Sequence, residues 1–288
     1  MKSIVSFKNI TLILLFLVRS TFIGAQENNK SSLHELGIIL NTVGAEMDAD
    51  YVSTLKKLKE IGYTCIEAGY YGESADDYYK LLSAMGLKSI AFGANLDQLE
   101  DDLGSLVKIA KSLHTPYLVC YYPWNYDWEK RAELISREGA IEAAEKLNSI
   151  GKECKDAGLQ LVFHNHDIEF VKFDDGSTAF DIIMENTDPE YVAAEMDVYW
   201  VTKGGSDPVK QLEKYKGRIP LLHIKDMADN EEKGFECVGE GTLDFERIVK
   251  VAKTNGVTHF IIEHDKPNNG IHCAQVGYET LNTIISKL

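Results

Sequence analysis

Four stretches of this sequence end apolar runs on groups that can hold a cation or move a proton. They are Phe163-His-Asn-His-Asp167, Glu195-Met-Asp-Val-Tyr-Trp200, His223-Ile-Lys-Asp226 and Ile262-Glu-His-Asp265. Each apolar run reads as a strand, and side chains along a strand alternate between its two faces. His164 therefore shares a face with His166, His223 with Lys225, and Glu263 with Asp265. One choice from each stretch gives His164, Asp197, His223 and Glu263 as candidate ligands. Two imidazoles and two carboxylates form a mixed nitrogen–oxygen set, suited to one divalent ion such as Mn, Zn, Co, Fe, Ni or Mg. The set contains no thiolate, which speaks against a structural zinc site there. Four ionisable groups gathered in one place cost free energy unless a cation or strong pairing compensates them. The alternative use is a hydrogen-bonded polar network without an ion.

Glu263 is the ligand best suited to double as a general base, and His166 and Lys225 are further candidates for proton transfer. Lys225 could also polarise a substrate oxygen, or form a salt bridge with Glu195, Asp197 or Glu240. Glu240, between Gly239 and Gly241, could reach substrate hydroxyls or could serve the turn those glycines make. Aromatic residues crowd the same strand ends: Tyr70, Tyr71, Tyr121, Tyr122, Trp124, Tyr199 and Trp200. Such a wall excludes water and stacks on the C–H faces of a hydroxylated ring. Glu67, Tyr71, Trp124, Trp200 and Glu240 are the candidate substrate contacts, with packing beneath loops as the alternative for each aromatic.

The elements that must position these groups alternate regularly. Strands are predicted at 36–40, 64–69, 88–92, 116–121, 159–165, 191–198, 219–225 and 258–263. Helices are predicted at 48–61 (capped by Asp48 or Asp50), after Ser74, at 96–114, at 128–157, at 178–185, after Asp207, at 244–253 and at 274–287. Eight strand–helix units in about 250 residues match a closed single-domain (β/α)8 TIM barrel over residues 34–288. In that fold the chemistry lies at the C-terminal ends of the strands, where the four stretches stand. No GxGxxG or GxxxxGK[ST] follows the first strand, so nothing points to a dinucleotide or P-loop site.

The first residues differ in character. Lys2 and Lys8, an apolar run from Ile10 to Val18, and Gly24-Ala25 form the pattern of a cleaved secretory signal over residues 1–25. Residues 26–33 then read as an exposed polar segment. Export to the periplasm, or secretion, is the expectation, without stable membrane insertion after cleavage. A buried N-terminal helix or a membrane tether is the alternative. Cleavage would remove Lys2, Lys8 and Arg19 and take the net charge from −15 to −18. So acidic a protein repels nucleic acid and anionic membranes. The five cysteines are odd in number, widely spaced and without CxxC, so neither a disulfide framework nor a Cys-based zinc site is expected. Cys65 and Cys120 read as core thiols, and one disulfide stays open in an oxidising compartment.

These motifs, with Val238-Gly-Glu-Gly-Thr-Leu-Asp-Phe245, resemble the sugar phosphate isomerase/epimerase family, the xylose isomerase-like TIM barrels. The resemblance covers about residues 34–288 and is specific for the family rather than for a substrate. It implies that Asp197, His223 and Glu263 take three of four metal-ligand positions. The fourth is Glu in that family and His164 here, which puts a symmetric two-glutamate epimerase mechanism in doubt. Trp200 stands where the epimerases place a His, and Gly93 stands near where relatives often show one. The implied reaction is proton abstraction next to a carbonyl with a metal-stabilised enediolate, giving isomerisation or epimerisation. Export and the acidic rim point to a non-phosphorylated sugar. A lyase or hydratase of 3-keto-glycosides is the second expectation, and a non-catalytic carbohydrate-binding barrel the third. An endonuclease is disfavoured by charge, and a homo-oligomer is possible within the family.

Overall fold

Residues 35–124 and 135–288 are described by the structure, a computed structural model. Residues 1–25, expected as a signal peptide, the segment 26–33 and residues 128–134 of one expected helix lie outside the described residues.

Eight parallel strands close into a barrel: β1 Glu35–Ile39, β2 Cys65–Glu67, β3 Lys88–Ala94, β4 Tyr117–Cys120, β5 Gln160–His164, β6 Val192–Asp197, β7 Leu221–Ile224 and β8 His259–Ile262. Each strand pairs with its neighbours in sequence, and β1 closes the ring on β8 with Leu36 opposite Phe260. The helices are α1 Gly44–Ile61, α2 Ala75–Met85, α3 Leu96–Ser112, α4 Arg137–Asp156, α5 Ala179–Asn186, α6 Val198–Lys203, α7 Pro208–Lys214, α8 Phe245–Ala252 and α9 Gly270–Lys287. A two-stranded antiparallel pair, Asp226–Met227 with Phe235–Glu236, is inserted after β7.

Strand alternation divides the core in two. Outward residues such as Ile38, Phe163 and Phe260 pack against helices, while Cys65, Val119, Val162, Ala193, Leu221 and Ile261 fill the barrel's interior. Fully burying one such Val, Leu, Ile or Phe contributes about 1.5–3 kcal/mol. Gly93 belongs to the interior, because a Cβ there would sit 2.3 Å from the Val119 carbonyl and 2.9 Å from the Tyr121 ring. Two residues past the apolar layer, the inward positions turn polar: Glu67, Tyr121, His164, Glu195, His223 and Glu263. The apolar layer thus forms a floor under a polar mouth.

Local chemistry moves several boundaries. β6 stops at Asp197, whose carboxylate caps Trp200 N at 3.0 Å and turns the chain at once into α6. That short helix was not expected, because Asp207 offers a second cap further on and starts α7. α1 begins before Asp48, but Asp50 interrupts it at non-helical angles and accepts from Ser53 N at 3.0 Å. Asn269 caps α9, which starts at Gly270, four residues ahead of the predicted start at Ala274. Ser136 caps α4, so its described start lies after the predicted one. Among the described residues no helix is long and apolar enough to cross a membrane.

Candidate active site at the barrel mouth

The C-terminal ends of the strands surround a cavity of about 870 Å³. Its lining includes Glu67, His164, His166, Trp200, His223, Lys225 and Glu263, with Tyr121, Tyr122, Asp265, Lys203 and Lys266. Ligand atoms of His164, Asp197, His223 and Glu263 all lie within 4.8 Å of one another, and all four residues are buried. Strand geometry explains the meeting. His164 is opposite Glu195 across β5–β6, and Asp197 is opposite His223 across β6–β7.

His223 is the hub. Its Nδ1 lies 2.6 Å from Glu263 Oε2 and its Nε2 lies 2.9 Å from Glu67 Oε2. Glu195 Oε1 stands 3.3 Å from the same Nε2. Burial alone would strip the ring of its proton, but the carboxylates of Glu195, Glu67 and Glu263 hold its pKa well above the ordinary imidazole value. A divalent cation among the ligands can take over that proton's role, since metals bind the neutral ring. Tyr121 anchors the far carboxylate, donating to Glu67 Oε1 at 2.7 Å. His164 reaches Glu195 Oε2 at 3.1 Å, yet burial outweighs that bond and lowers its pKa, leaving a neutral ring.

Lys225 is fully buried and lies 3.2 Å from Asp197, 3.2 Å from Glu263 and 3.1 Å from Asp265. Burial opposes its charge, but the three carboxylates outweigh burial and raise its pKa above the ordinary lysine value. The rings of Trp200, Phe235 and Tyr199 surround the ammonium at 5.1, 5.2 and 5.8 Å, a further attraction for a cation. Of the salt-bridge partners expected from sequence it takes Asp197, and it adds Glu263 and Asp265. Burial raises the Asp197 carboxyl to about 6 against the pull of Lys225. For Glu263 the balance is reversed: burial would raise it, but Lys225 and His223 hold it well below the usual carboxylate range. Asp265 is pushed up to about 6 by burial and by Glu263, and it lines the cavity.

These residues fit a divalent ion. The donor set is two nitrogens and two oxygens within one small volume. Asp197 Oδ2 is buried without a hydrogen-bond partner among the described residues and lies 3.2 Å from the Lys225 ammonium. A cation bound by the set would satisfy it.

The other sequence candidates scatter. His166 stacks on Tyr122 at 4.4 Å between ring centroids and lies 5.3 Å from Trp200, all three lining the cavity. Tyr71, Trp124 and Glu240 lie outside it. Tyr71 stacks on Tyr51 at 5.7 Å. Trp124 donates its indole N–H to Glu169 at 2.6 Å and borders a separate cavity of about 200 Å³. Glu240 is exposed and 3.1 Å from His272. Glu195 entered the sequence reading only as a partner for Lys225. Its spacing two before Asp197 was the signal that it also faces inward. The lysines Lys203 and Lys266 at the cavity wall had no such signal, since both follow the strands and depend on how the chain turns there.

Comparison with known proteins adds the context. Residues 55–280 match the family described as Xylose isomerase-like TIM barrel. An inosose dehydratase of Geobacillus kaustophilus is 25% identical over 213 residues, covering 68% of this chain and 67% of that protein. The chain spans about half the length of other inosose dehydratases it matches. A solved sugar phosphate isomerase/epimerase from Parabacteroides distasonis superposes with a TM-score of 0.73 at 24% identity, over 88% of this chain and 95% of that one. A protein called IOLI, solved with a bound zinc atom, superposes with a TM-score of 0.70 at 16% identity, over 88% and 98%.

Proposed function

This chain belongs to the xylose isomerase-like TIM barrel family, and on that premise we propose that it is a divalent-metal-dependent isomerase or epimerase of a non-phosphorylated sugar or sugar derivative. The observation that carries the reading is the convergence of His164, Asp197, His223 and Glu263 at the barrel mouth, where His164, His223 and Glu263 line a cavity large enough for a sugar. A bound ion would polarise neighbouring oxygens of the substrate and stabilise the negative charge left when an adjacent C–H proton departs.

The chain's own residues supply the rest. Glu67 and Tyr121 orient His223. Lys225 keeps its proton, so it serves as an electrostatic partner for a developing oxyanion rather than as a base. Glu263 and His166 are the assigned proton carriers, and Asp265, pushed up to about 6, can accept a proton from the cavity wall. Tyr122, Trp200 and Phe235 narrow the space and exclude water. No arginine is among the residues lining the cavity and Lys225 is already neutralised by three carboxylates, but Lys203 and Lys266 also stand at its wall, so the non-phosphorylated substrate rests on the export reading.

A second reading is favoured by one residue. His164 replaces a second carboxylate in the ligand set, leaving a single ligand carboxylate beside Asp197 to move protons, which suits one-sided proton abstraction with elimination better than two-sided epimerisation. The likeness to inosose dehydratases supports that lyase reading. The test incubates metal-loaded protein in D₂O with free sugars, inososes and 3-keto-glycosides. Deuterium entering one carbon of an otherwise intact sugar supports the isomerase. Loss of water or of the aglycone selects the lyase. A panel left unlabelled and intact, with metal bound, favours a carbohydrate-binding barrel and removes the catalytic reading.

The Cys237–Cys273 disulfide supports export, since such bonds persist in oxidising compartments.

A further inference from the structure

A second group of metal-ligating side chains lies outside the cavity, on the outer side of the β8 end. Cys237 follows the antiparallel pair, Cys273 lies in the first turn of α9, and His264 directly follows Glu263. Ligand atoms of the three lie within 4.8 Å of one another, and all three residues are buried. Glu240 and His272 form a second set with Cys237 inside the same limit, and both are exposed. The sequence reading expected no cysteine-based metal site, because the spacing between Cys237 and Cys273 is wide and has no short repeat. The fold cancels that objection by bringing a loop and a helix N-terminal turn together across 36 residues.

In the structure the two sulfurs form a disulfide, and in that state they offer no thiolate to a cation. We propose that in the dithiol state this cluster is a second metal site, taking one thiophilic divalent ion of the zinc class. Cys237, Cys273 and His264 form its inner side, and Glu240 or His272 completes it from the exposed side. Two sulfurs, one imidazole and one further nitrogen or oxygen make the donor set that zinc prefers at four-coordinate sites. The exposed pair also gives an ion a way in, while the inner three supply a preformed, desolvated wall. The disulfide and the ion exclude each other. Reduction by a dithiol adds two electrons and two protons to Cys237 and Cys273 and leaves the reductant as a disulfide. Binding the ion then releases the two thiol protons. The site borders the catalytic cavity through two neighbours, Phe235 of the antiparallel pair and Glu263 beside His264.

Cobalt(II) tests this without interference from the barrel mouth, whose ligand set contains no sulfur. The full-length protein, folded by circular dichroism, is titrated with cobalt before and after reduction by a phosphine. The expected result is sulfur-to-cobalt charge-transfer absorption in the reduced protein alone, saturating at one ion per chain. It persists in Asp197→Asn, which separates this site from the catalytic one, and it is lost in Cys273→Ser. In parallel, zinc slows alkylation of Cys237 and Cys273 in wild type, read by peptide mass spectrometry. If Cys273→Ser fails to fold, His264→Ala takes its place and weakens that protection. A reduced, folded protein with no charge-transfer band and no zinc protection overturns the proposal. Reduction that unfolds the chain supports it if zinc restores the fold, and overturns it if zinc does not.

Discussion

His223 touches three carboxylates at once, and that crowding is what a cation at the barrel mouth would relieve. Asp197 combines two tasks, since one oxygen caps α6 and the other faces Lys225 and the ligand group. Asp197→Asn keeps the cap oxygen and loses the charge. Stoichiometric binding of zinc or manganese at the mouth is expected to disappear in it, as measured by metal analysis after dialysis, while the fold stays intact by circular dichroism. Glu67 works at one remove, fixing the ring of His223 through Nε2. Partners of this kind are worth about 10–100-fold in metal affinity. Glu67→Gln should therefore weaken metal binding by about that factor in competition with a chelating dye. An unchanged affinity would show that Glu67 does not orient the ring.

At the scale of elements, two small structures support the mouth. The first is the turn after β5, where Glu169 is fully buried and accepts from Trp124 Nε1 at 2.6 Å and from His166 N at 2.7 Å. Burial pushes its carboxyl up from 4.5 to about 7, against the pull of those donors. A raised folded-state pKa means the native protein binds the proton more tightly than the unfolded chain does. The resulting stability is complete below about pH 4.5 and is lost as the pH rises through about 7. Urea unfolding across that window should show the decline in wild type, and Glu169→Gln should flatten it. The second is the loop after the antiparallel pair, organised by Asp226. Its carboxylate accepts from the amides of Met227, Gly239, Gly241 and Leu243 at 2.8–3.0 Å. Gly241 fits there because a Cβ would lie 2.5 Å from that carboxylate. Removing the acceptor orphans the buried amide of Met227 and takes a partner from three part-buried amides, an orphaned buried donor costing about 1–3 kcal/mol. Asp226→Ala is expected to lose at least about 3 kcal/mol by denaturant titration. A loss under 1 kcal/mol would mean that water replaces the carboxylate.

For the whole molecule, the apolar floor of the barrel and its polar mouth are one design read along each strand. The full sequence carries a formal net charge of −15, which disfavours association with anionic polymers. The export reading belongs to this scale as well. If residues 1–25 are a cleaved export signal, as proposed, expression of the full sequence in a bacterial host yields periplasmic protein whose N-terminus is Gln26 by mass spectrometry. Retention of Lys2 and Lys8 in the mature protein would count against it.

Much of the fold was legible because period-two alternation and periodic helices are local properties. The runs ending at His164, Asp197, Ile224 and Ile262 declare their strands, and each strand's alternation declares which side chains face inward. The quartet His164, Asp197, His223 and Glu263 could be assembled from that parity, because a parallel barrel brings all the C-terminal ends to one rim. What could not be read is anything set by how neighbouring strands and loops approach in space. Glu195 and Glu67 meet on one nitrogen of His223, Trp124 turns away to bond Glu169, and Glu240 pairs with His272 outside the cavity. Cys237 finds Cys273 only because the loop after β7 folds over the start of α9. Sequence order carries the face a residue takes, whereas the partner across a gap depends on barrel closure, which no local pattern encodes.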